Sequence, residues 1–157
     1  MAGTEDESTD VRVRLRPVEQ GDIDAFFLQQ QDPEANRRAN SAARSRSDFV
    51  AHWRDKILGD DTVYAQTVCD SQVAGYVVAW SHDDHRCVGY WLGQDFWGRG
   101  VGTQALRQFL DLESTRPLIA DTDIGNAASQ RLLERCGFRF VETRRTSSVE
   151  YVVFVLE

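Results

Sequence analysis

The segment "DFWGRGVGTQAL", residues 95–106, places three glycines within five positions, just ahead of a stretch with helical periodicity. Gly98, Gly100 and Gly102 permit a positive φ and lack the Cβ that would keep a ligand away from the backbone. The free N–H groups and the positive dipole end of a following helix favour an anion at this point. The segment is therefore either a tight turn between a strand and a helix or a cradle for phosphate.

Two common phosphate-binding motifs do not fit these residues. A P-loop ends in Gly-Lys-Ser or Gly-Lys-Thr, and no lysine follows the glycines. A dinucleotide fingerprint counted from Gly98 finds Thr103 where its last glycine belongs. Glycine spacing alone leaves both the ligand-free turn and the phosphate cradle open.

The composition indicates one domain with a true hydrophobic core, since 41% of the 157 residues are hydrophobic. A net charge of −7 argues against general binding to nucleic acid or to anionic membranes, and it is compatible with a cationic amine substrate. The three widely spaced cysteines favour reduced thiols in a cytoplasmic protein over a disulfide framework.

The acidic and polar residues 1–10 lack the basic start and apolar run of a signal peptide, and we expect a disordered tail there. A single domain is expected over residues 11–157. No run of about 18 apolar residues predicts a transmembrane helix.

Hydrophobic periodicity predicts the element order β-α-α-β-β-β-α-β-α-β-β and a mixed α/β fold, that is, an α+β mixed sheet with helices on its faces. The strand-helix-strand portion from 86 to 122 implies local parallel pairing. Asn126 is the expected N-cap of the last helix and Gly137 its stop signal. Residues 32–48, which are polar and rich in arginine, predict a loop or a short helix.

Two separated stretches, "VGYWLGQDFWGRGVGTQAL" (88–106) and "NAASQRLLERCGF" (126–138), resemble the GCN5-related N-acetyltransferases (GNAT), in particular the branch that acetylates ribosomal-protein N-termini. The family's phosphate signature, Gln/Arg-x-x-Gly-x-Gly/Ala, falls on residues 97–102, with Trp97 in place of Gln or Arg. The family's later pattern falls on Asn126, Ser129, Leu133, Gly137 and Phe138. The resemblance extends over nearly the whole chain and implies the family's fold.

The resemblance implies acetyl-CoA as co-substrate and a primary amine, on a small molecule or a protein N-terminus, as acceptor. It implies direct attack within a ternary complex. The amides of residues 98–103 would bind the pyrophosphate, and the strand end "YWLG" would pair with the pantetheine arm. The implied cofactor contacts are Trp91, Leu92, Gly93, Trp97, Gly98, Arg99, Gly100, Val101, Gly102, Thr103, Asn126 and Ser129.

The chemistry requires a neutral amine and a stabilised thiolate. A base or a water relay takes a proton from the ammonium group, and an N–H near Leu92 would polarise the thioester carbonyl. Ser129 is the candidate general acid for the thiolate, the alternative being a serine that only caps its helix. The side chain of Arg99 would add a charge-assisted bond to a phosphate oxygen.

The general base is not assigned. Where related sequences of this branch often carry a glutamate, this chain has Cys87. Glu34, Asp83, Asp84, His85 and a water chain are the open alternatives. The altered position motivates a second hypothesis, in which the protein is a catalytically weak acetyl-CoA sensor or an interaction module of the same fold.

Residues 82–87, "HDDHRC", contain metal-ligating side chains, but they fall in an expected hairpin turn without a second ligand cluster. We expect no metal there. The arginines between 37 and 46 are expected on a solvated face, with contacts to an acidic acceptor or to cofactor phosphates as the alternative. We expect no nucleic-acid or membrane partner, and either a monomer or a homodimer.

Overall fold

The computed structural model describes residues 12–157, so the expected tail at 1–10 lies outside the described residues. The strands are β1 (Arg14–Pro17), β2 (Tyr64–Asp70), β3 (Gln72–His82), β4 (His85–Leu92), β5 (Leu118–Asp123), β6 (Arg139–Arg145) and β7 (Glu150–Leu156). The helices are α1 (Asp22–Gln30), α2 (Pro33–Ala39), α3 (Arg46–His52), α4 (Val101–Leu112) and α5 (Ala127–Arg135). A π-helical turn, Trp53–Ile57, continues α3, and a 3₁₀ turn, Gln94–Phe96, precedes α4.

The predicted mixed α/β class is confirmed, but the predicted element order lacks one helix. The extra helix is α2, within the segment expected to be a loop or short helix. Its N-cap is Asp32, whose carboxylate accepts from the N–H of Glu34 at 3.0 Å, and Pro33 occupies its first turn. Asn40 ends it in the left-handed region, at φ 52°. Seven residues are too few for a clear periodicity, so the capping residues carried the available signal.

The strands form one sheet in the order β1-β2-β3-β4-β5-β7-β6. Within it β4 and β5 are parallel, and they pair only at Arg86–Leu118 and Cys87–Ile119. In contrast, β4 pairs with β3 over eight positions and β5 with β7 over six. Beyond Cys87 each of the two strands therefore follows its antiparallel neighbour, and the sheet splits between them.

Two helical layers cover the sheet. On one face, α4 and α5 bury Leu106, Phe109 and Leu133 against the strands. On the other, Phe26 of α1 and Trp53 of the π-helical turn pack over β2 and β3. The first layer brings the N-termini of α4 and α5 to the end of the sheet at which β4 and β5 diverge.

A buried carboxylate joins β1, α1 and β2. Asp22, 4% exposed, accepts from the Arg16 guanidinium at 2.7 and 2.8 Å, from the Thr67 hydroxyl at 2.8 Å and from the Glu19 N–H at 2.8 Å. Burial alone would raise the pKa of Asp22, but these hydrogen bonds outweigh it and hold the pKa below its ordinary value. The ionised carboxylate thus stabilises the fold.

We expect Asp22→Ala to lower the free energy of unfolding by about 2–4 kcal/mol, because it removes the ion pair with Arg16 and leaves the Thr67 hydroxyl and the Glu19 N–H without their acceptor. The stabilisation from Asp22 is complete above the ordinary aspartate pKa of about 3.9 and is lost as the pH falls through the lower folded value. Urea denaturation at neutral and acidic pH measures both effects. Asp24→Ala removes an exposed ion pair with Arg46 from the same helix and should cost at most about 1 kcal/mol. Equal losses for the two variants would contradict this assignment.

Candidate active site

The split between β4 and β5 opens a cleft of about 870 Å³. It is lined by the diverging halves of both strands, by the loop before α4, by α2 and by α5. This volume lies in the upper part of the range found for small-molecule sites, about 300–1,000 Å³. The cleft is therefore large enough for a cofactor arm together with part of a second substrate.

The strand register determines which backbone groups face the cleft. Gly93 donates its N–H to the Ala74 carbonyl at 2.9 Å. Because antiparallel partners alternate, the backbone of Trp91 is also directed towards β3, whereas the backbones of Tyr90 and Leu92 are directed towards β5 and the cleft. Of the three strand residues expected to pair with the cofactor arm, only Leu92 has this direction, and Tyr90 joins it.

The glycines of the loop before α4 have two different roles. Gly98 and Gly100 have φ values of +73° and +80°, and a Cβ added to either would meet no heavy atom within 4 Å. A Cβ at Gly102 would lie 2.5 Å from Leu132 Cδ1, so this glycine lets α4 and α5 approach each other. The first two glycines therefore leave an open backbone surface, and the third is required for helix packing.

The amides of this loop are available at the helix N-terminus. Gln104 donates its N–H to the Gly100 carbonyl at 3.1 Å and begins the hydrogen-bond ladder of α4. The N–H groups of Val101, Gly102 and Thr103 belong to the first turn, where an α-helix provides no acceptor. Together with the N–H groups of the preceding loop they lie at the rim of the cleft, an arrangement that favours an anion.

The Arg99 side chain does not have the position expected for a phosphate contact. Its guanidinium donates to the Asp70 carboxylate at 2.8 Å and to the Asp95 carbonyl at 3.2 Å. An ion pair to the end of β2 therefore directs it away from the loop amides. The cations that line the cleft are instead Arg38, Arg131 and Arg135.

Trp97 connects the glycine loop to the end of β4. Its indole N–H donates to the Leu92 carbonyl at 3.1 Å, and the Arg38 guanidinium lies 4.3 Å above its ring. The bond occupies the Leu92 carbonyl and leaves the Leu92 N–H directed at the cleft. Trp97, which stands where the family signature has Gln or Arg, thus holds the loop and the strand end in a fixed relation.

Ser129 lies in the cleft as part of a hydroxyl pair. Asn126 caps α5 by accepting from the Ser129 N–H at 3.2 Å, which confirms the expected N-cap. The Ser129 Oγ and the Tyr90 hydroxyl lie 2.6 Å apart, and either can donate. Burial raises the pKa of Tyr90 to about 12, against a smaller opposing effect of the bond to Ser129, so the pair is neutral near pH 7.

Tyr90 was not among the site residues predicted from the sequence. Its signal was the strand alternation: Val88 is a core residue under α4 and α5, so the side chain two positions later points towards the same helices.

None of the four side chains considered as bases lines this cleft. Hydrogen bonds from Arg37 and Arg38 lower the pKa of Glu34 to about 2. Asp83, Asp84 and His85 lie at the opposite end of β4, beside Thr115 in a separate small pocket. Cys87 lies at the fork of the strands, and burial raises the pKa of its thiol, which keeps it protonated at neutral pH.

The cleft is also lined by the carboxylate of Asp121, which was not among the bases proposed from the sequence.

Two further findings concern residues 12–157. No cluster of three or more His, Cys, Asp or Glu side chains in this part of the chain is arranged to hold a metal ion. None of its helices combines the length and apolarity needed to cross a lipid bilayer.

A mixed sheet split between two parallel strands, with a glycine loop and a helix N-terminus at the split, defines the class of protein to which the chain should be compared. The family profile described as "Acetyltransferase (GNAT) domain" matches residues 12–139, most of the chain. The chain belongs to the GNAT acetyltransferase family.

Part of the chain is similar in sequence to a named relative. The chain is 28% identical over 107 residues to "Putative ribosomal N-acetyltransferase YdaF" of Bacillus subtilis (strain 168). That match covers 63% of this chain and 58% of the relative, a little over half of the relative's length.

Solved structures with low sequence identity share the fold. RimL, the ribosomal L7/L12 alpha-N-protein acetyltransferase in complex with coenzyme A, superposes with a TM-score of 0.78 at 15% identity, covering 94% of this chain and 95% of that one. The aminoglycoside acetyltransferase AAC(6')-Ib in complex with coenzyme A gives a TM-score of 0.78 at 17% identity, covering 92% and 94%.

We expect Gly100→Ala to weaken the binding of coenzyme A by about tenfold or more, measured by isothermal titration calorimetry. The methyl group would enter the open surface of the loop, and a left-handed backbone costs a residue with a Cβ about 1–2 kcal/mol. Gly137→Ala is the matched control, because Gly137 has φ +94° but follows α5 outside the glycine loop. It should lose a similar amount of stability and retain its affinity. Equal affinity of Gly100→Ala and the wild type would contradict the cradle.

Proposed function

We propose that this protein is an N-acetyltransferase that moves the acetyl group of acetyl-CoA to a primary amine. One observation carries the proposal: an open glycine loop leading into a helix N-terminus and a neutral hydroxyl pair lie on the same cleft, at the split between β4 and β5. Membership of the GNAT family supports the same reaction. The family does not define the acceptor.

In the proposed complex, the pyrophosphate of the cofactor lies against the amides of residues 98–103. Gly98 and Gly100 permit this approach because no Cβ covers the loop. The pantetheine arm, which contains amides of its own, extends along β4 and pairs with the backbone of Tyr90. Arg131 and Arg135 on α5 add positive charge beside the cofactor phosphates.

The thioester oxygen and the sulfur then each have a partner on this chain. The Leu92 N–H is directed into the cleft and would donate to the thioester oxygen as negative charge develops there. Ser129 would donate to the sulfur as the carbon–sulfur bond breaks, and Tyr90 would hold the Ser129 hydroxyl in place. Attack is direct, within a ternary complex, and no acetylated enzyme is formed.

The proposed acceptor is a primary amine of a small molecule or of a protein N-terminus. One structural neighbour acts on the α-amine of a ribosomal protein and another on aminoglycosides, according to their names.

All three cysteines of the chain are free thiols, which supports the proposal that the reaction takes place in the cytoplasm.

The test is an assay of coenzyme A release and acceptor mass in the presence of acetyl-CoA. The panel contains short peptides with a free α-amine, the same peptides with that amine blocked and a lysine exposed, polyamines and aminoglycosides. We expect acetylation of at least one class, with intersecting initial-velocity patterns. Parallel patterns would contradict direct attack. Tight binding of acetyl-CoA without turnover of any amine would favour the alternative function, an acetyl-CoA sensor without a strong base.

We expect Ser129→Ala to lower kcat by about 10²-fold while the dissociation constant of acetyl-CoA changes little, because the hydroxyl acts on the departing sulfur. Tyr90→Phe should have a smaller effect, about tenfold, since it removes one hydrogen bond that orients Ser129. Steady-state kinetics and calorimetry measure the two quantities separately.

Ser147→Ala, in the exposed turn between β6 and β7, is the control for the serine substitution and should behave as the wild type. If Ser129→Ala lost affinity for acetyl-CoA but kept its kcat, the hydroxyl would be a binding group rather than an acid.

A further inference from the structure

The cleft carboxylate Asp121 and the hydroxyl pair lie on opposite faces of the sheet. On β5, Leu118 and Ala120 are 0% and 3% exposed and lie in the core beneath α4 and α5. Because side chains alternate along a strand, Asp121 projects from the opposite face. On β4, Tyr90 packs against the core of α4 and α5 and bonds to Ser129. The two groups therefore flank the split from different sides.

Asp121 differs from the other carboxylate of the cleft in its hydrogen bonding. Asp123 accepts from the Asn40 side-chain amide at 3.1 Å and from the Gly125 N–H at 2.8 Å. Within residues 12–157, no group donates a hydrogen bond to the carboxylate of Asp121. Asp121 lines the cleft with its acceptor capacity free, whereas Asp123 stabilises the turn before α5.

We propose that Asp121 is the general base of the reaction: it binds the acceptor ammonium group on the face of the sheet away from α5 and takes its proton. This inference rests on the proposed acetyl transfer. It also gives the acceptor a direction, since the amine approaches through the split from the face opposite to Tyr90 and Ser129.

The steps balance in atoms and charge. Asp121 first accepts a proton from the ammonium group, and the neutral nitrogen then attacks the carbonyl carbon of the acetyl thioester. The tetrahedral intermediate collapses with cleavage of the carbon–sulfur bond, and its nitrogen loses its second proton to solvent. The thiolate takes the proton of the Ser129 hydroxyl, which regains one from solvent. Asp121 returns its proton to solvent, and the products are the N-acetylated amine, free coenzyme A and one proton.

The surroundings of Asp121 suit a base. Asp121 is an exposed residue of β5 at the cleft surface, and the partial desolvation of its carboxylate raises its pKa above the ordinary value, with Arg144 opposing this effect. A higher carboxylate pKa lies closer to the pKa of the acceptor ammonium group, which makes proton transfer easier. The pKa of that group is about 8 for an α-amine and about 10.4 for lysine. The charged and titratable groups on the neighbouring elements are Cys87 of β4, Tyr151 of β7, Glu142 and Arg144 of β6, Asp123 of β5 and Arg38 of α2.

The experiment compares Asp121→Asn, Asp121→Glu and the control Asp111→Asn, with the amine of the panel that the wild type acetylates fastest. Asp111 is exposed on α4, and its substitution changes the net charge by the same amount. We expect Asp121→Asn to lower kcat by about 10²-fold or more with the affinity for acetyl-CoA retained, which also shows that the variant is folded. Asp121→Glu should recover part of the activity, and Asp111→Asn should match the wild type.

The pH profile separates a base from a binding contact. In the wild type, kcat should fall as the pH drops through the raised pKa of Asp121, because protonation removes the base. In Asp121→Asn this dependence should disappear. A variant with kcat close to that of an active wild type, or with an unchanged acidic limb, would overturn the assignment of Asp121 alone. A wild type that acetylates no amine of the panel would overturn the proposed function and the base together.

Discussion

The structure depends on one constraint of the sheet: two half-sheets are joined at only two residue pairs, Arg86–Leu118 and Cys87–Ile119. Beyond these pairs, β4 pairs only with β3 and β5 pairs only with β7. The facing edges of β4 and β5 are therefore not paired with each other. Backbone polar groups removed from water require hydrogen bonds. An extended ligand with amides of its own would satisfy the edge of β4, and this is the role proposed for the pantetheine arm.

The other parts of the site are arranged around this split. The glycine loop lies at its rim because α4 crosses from β4 to β5, and Trp97 holds that loop against the last carbonyl of β4. The N-terminus of α5 brings Ser129 to the same place, with Tyr90 beneath it. The sheet also separates two environments. The proposed acid lies on the face covered by helices, and the proposed base lies on the other face.

The sequence predicted much of the fold because its signals are local. Two such signals are Asn126 and Gly137, which flank α5, and a third is the alternation along the strands. Each is recognised from residues within a few positions. Helix α2, predicted only as a loop or a short helix, is too short to show a clear periodicity. The direction of the Arg99 side chain depends on Asp70, 29 positions away, and no local pattern contains that pairing. Tyr90 and Asp121 likewise reach the same cleft only through the parallel pairing of β4 and β5. No local pattern relates their positions in the chain.

The most direct test of the split as the cofactor site is amide chemical-shift mapping by NMR on the isotope-labelled protein, titrated with acetyl-CoA. We expect the largest changes at the N–H groups of residues 98–103, at Leu92 and Tyr90 on β4, and at Ser129 on α5. The amides of α1 and of the hairpin between β3 and β4 should change little. Saturable changes confined to regions away from the split, or none at millimolar cofactor, would contradict the central claim.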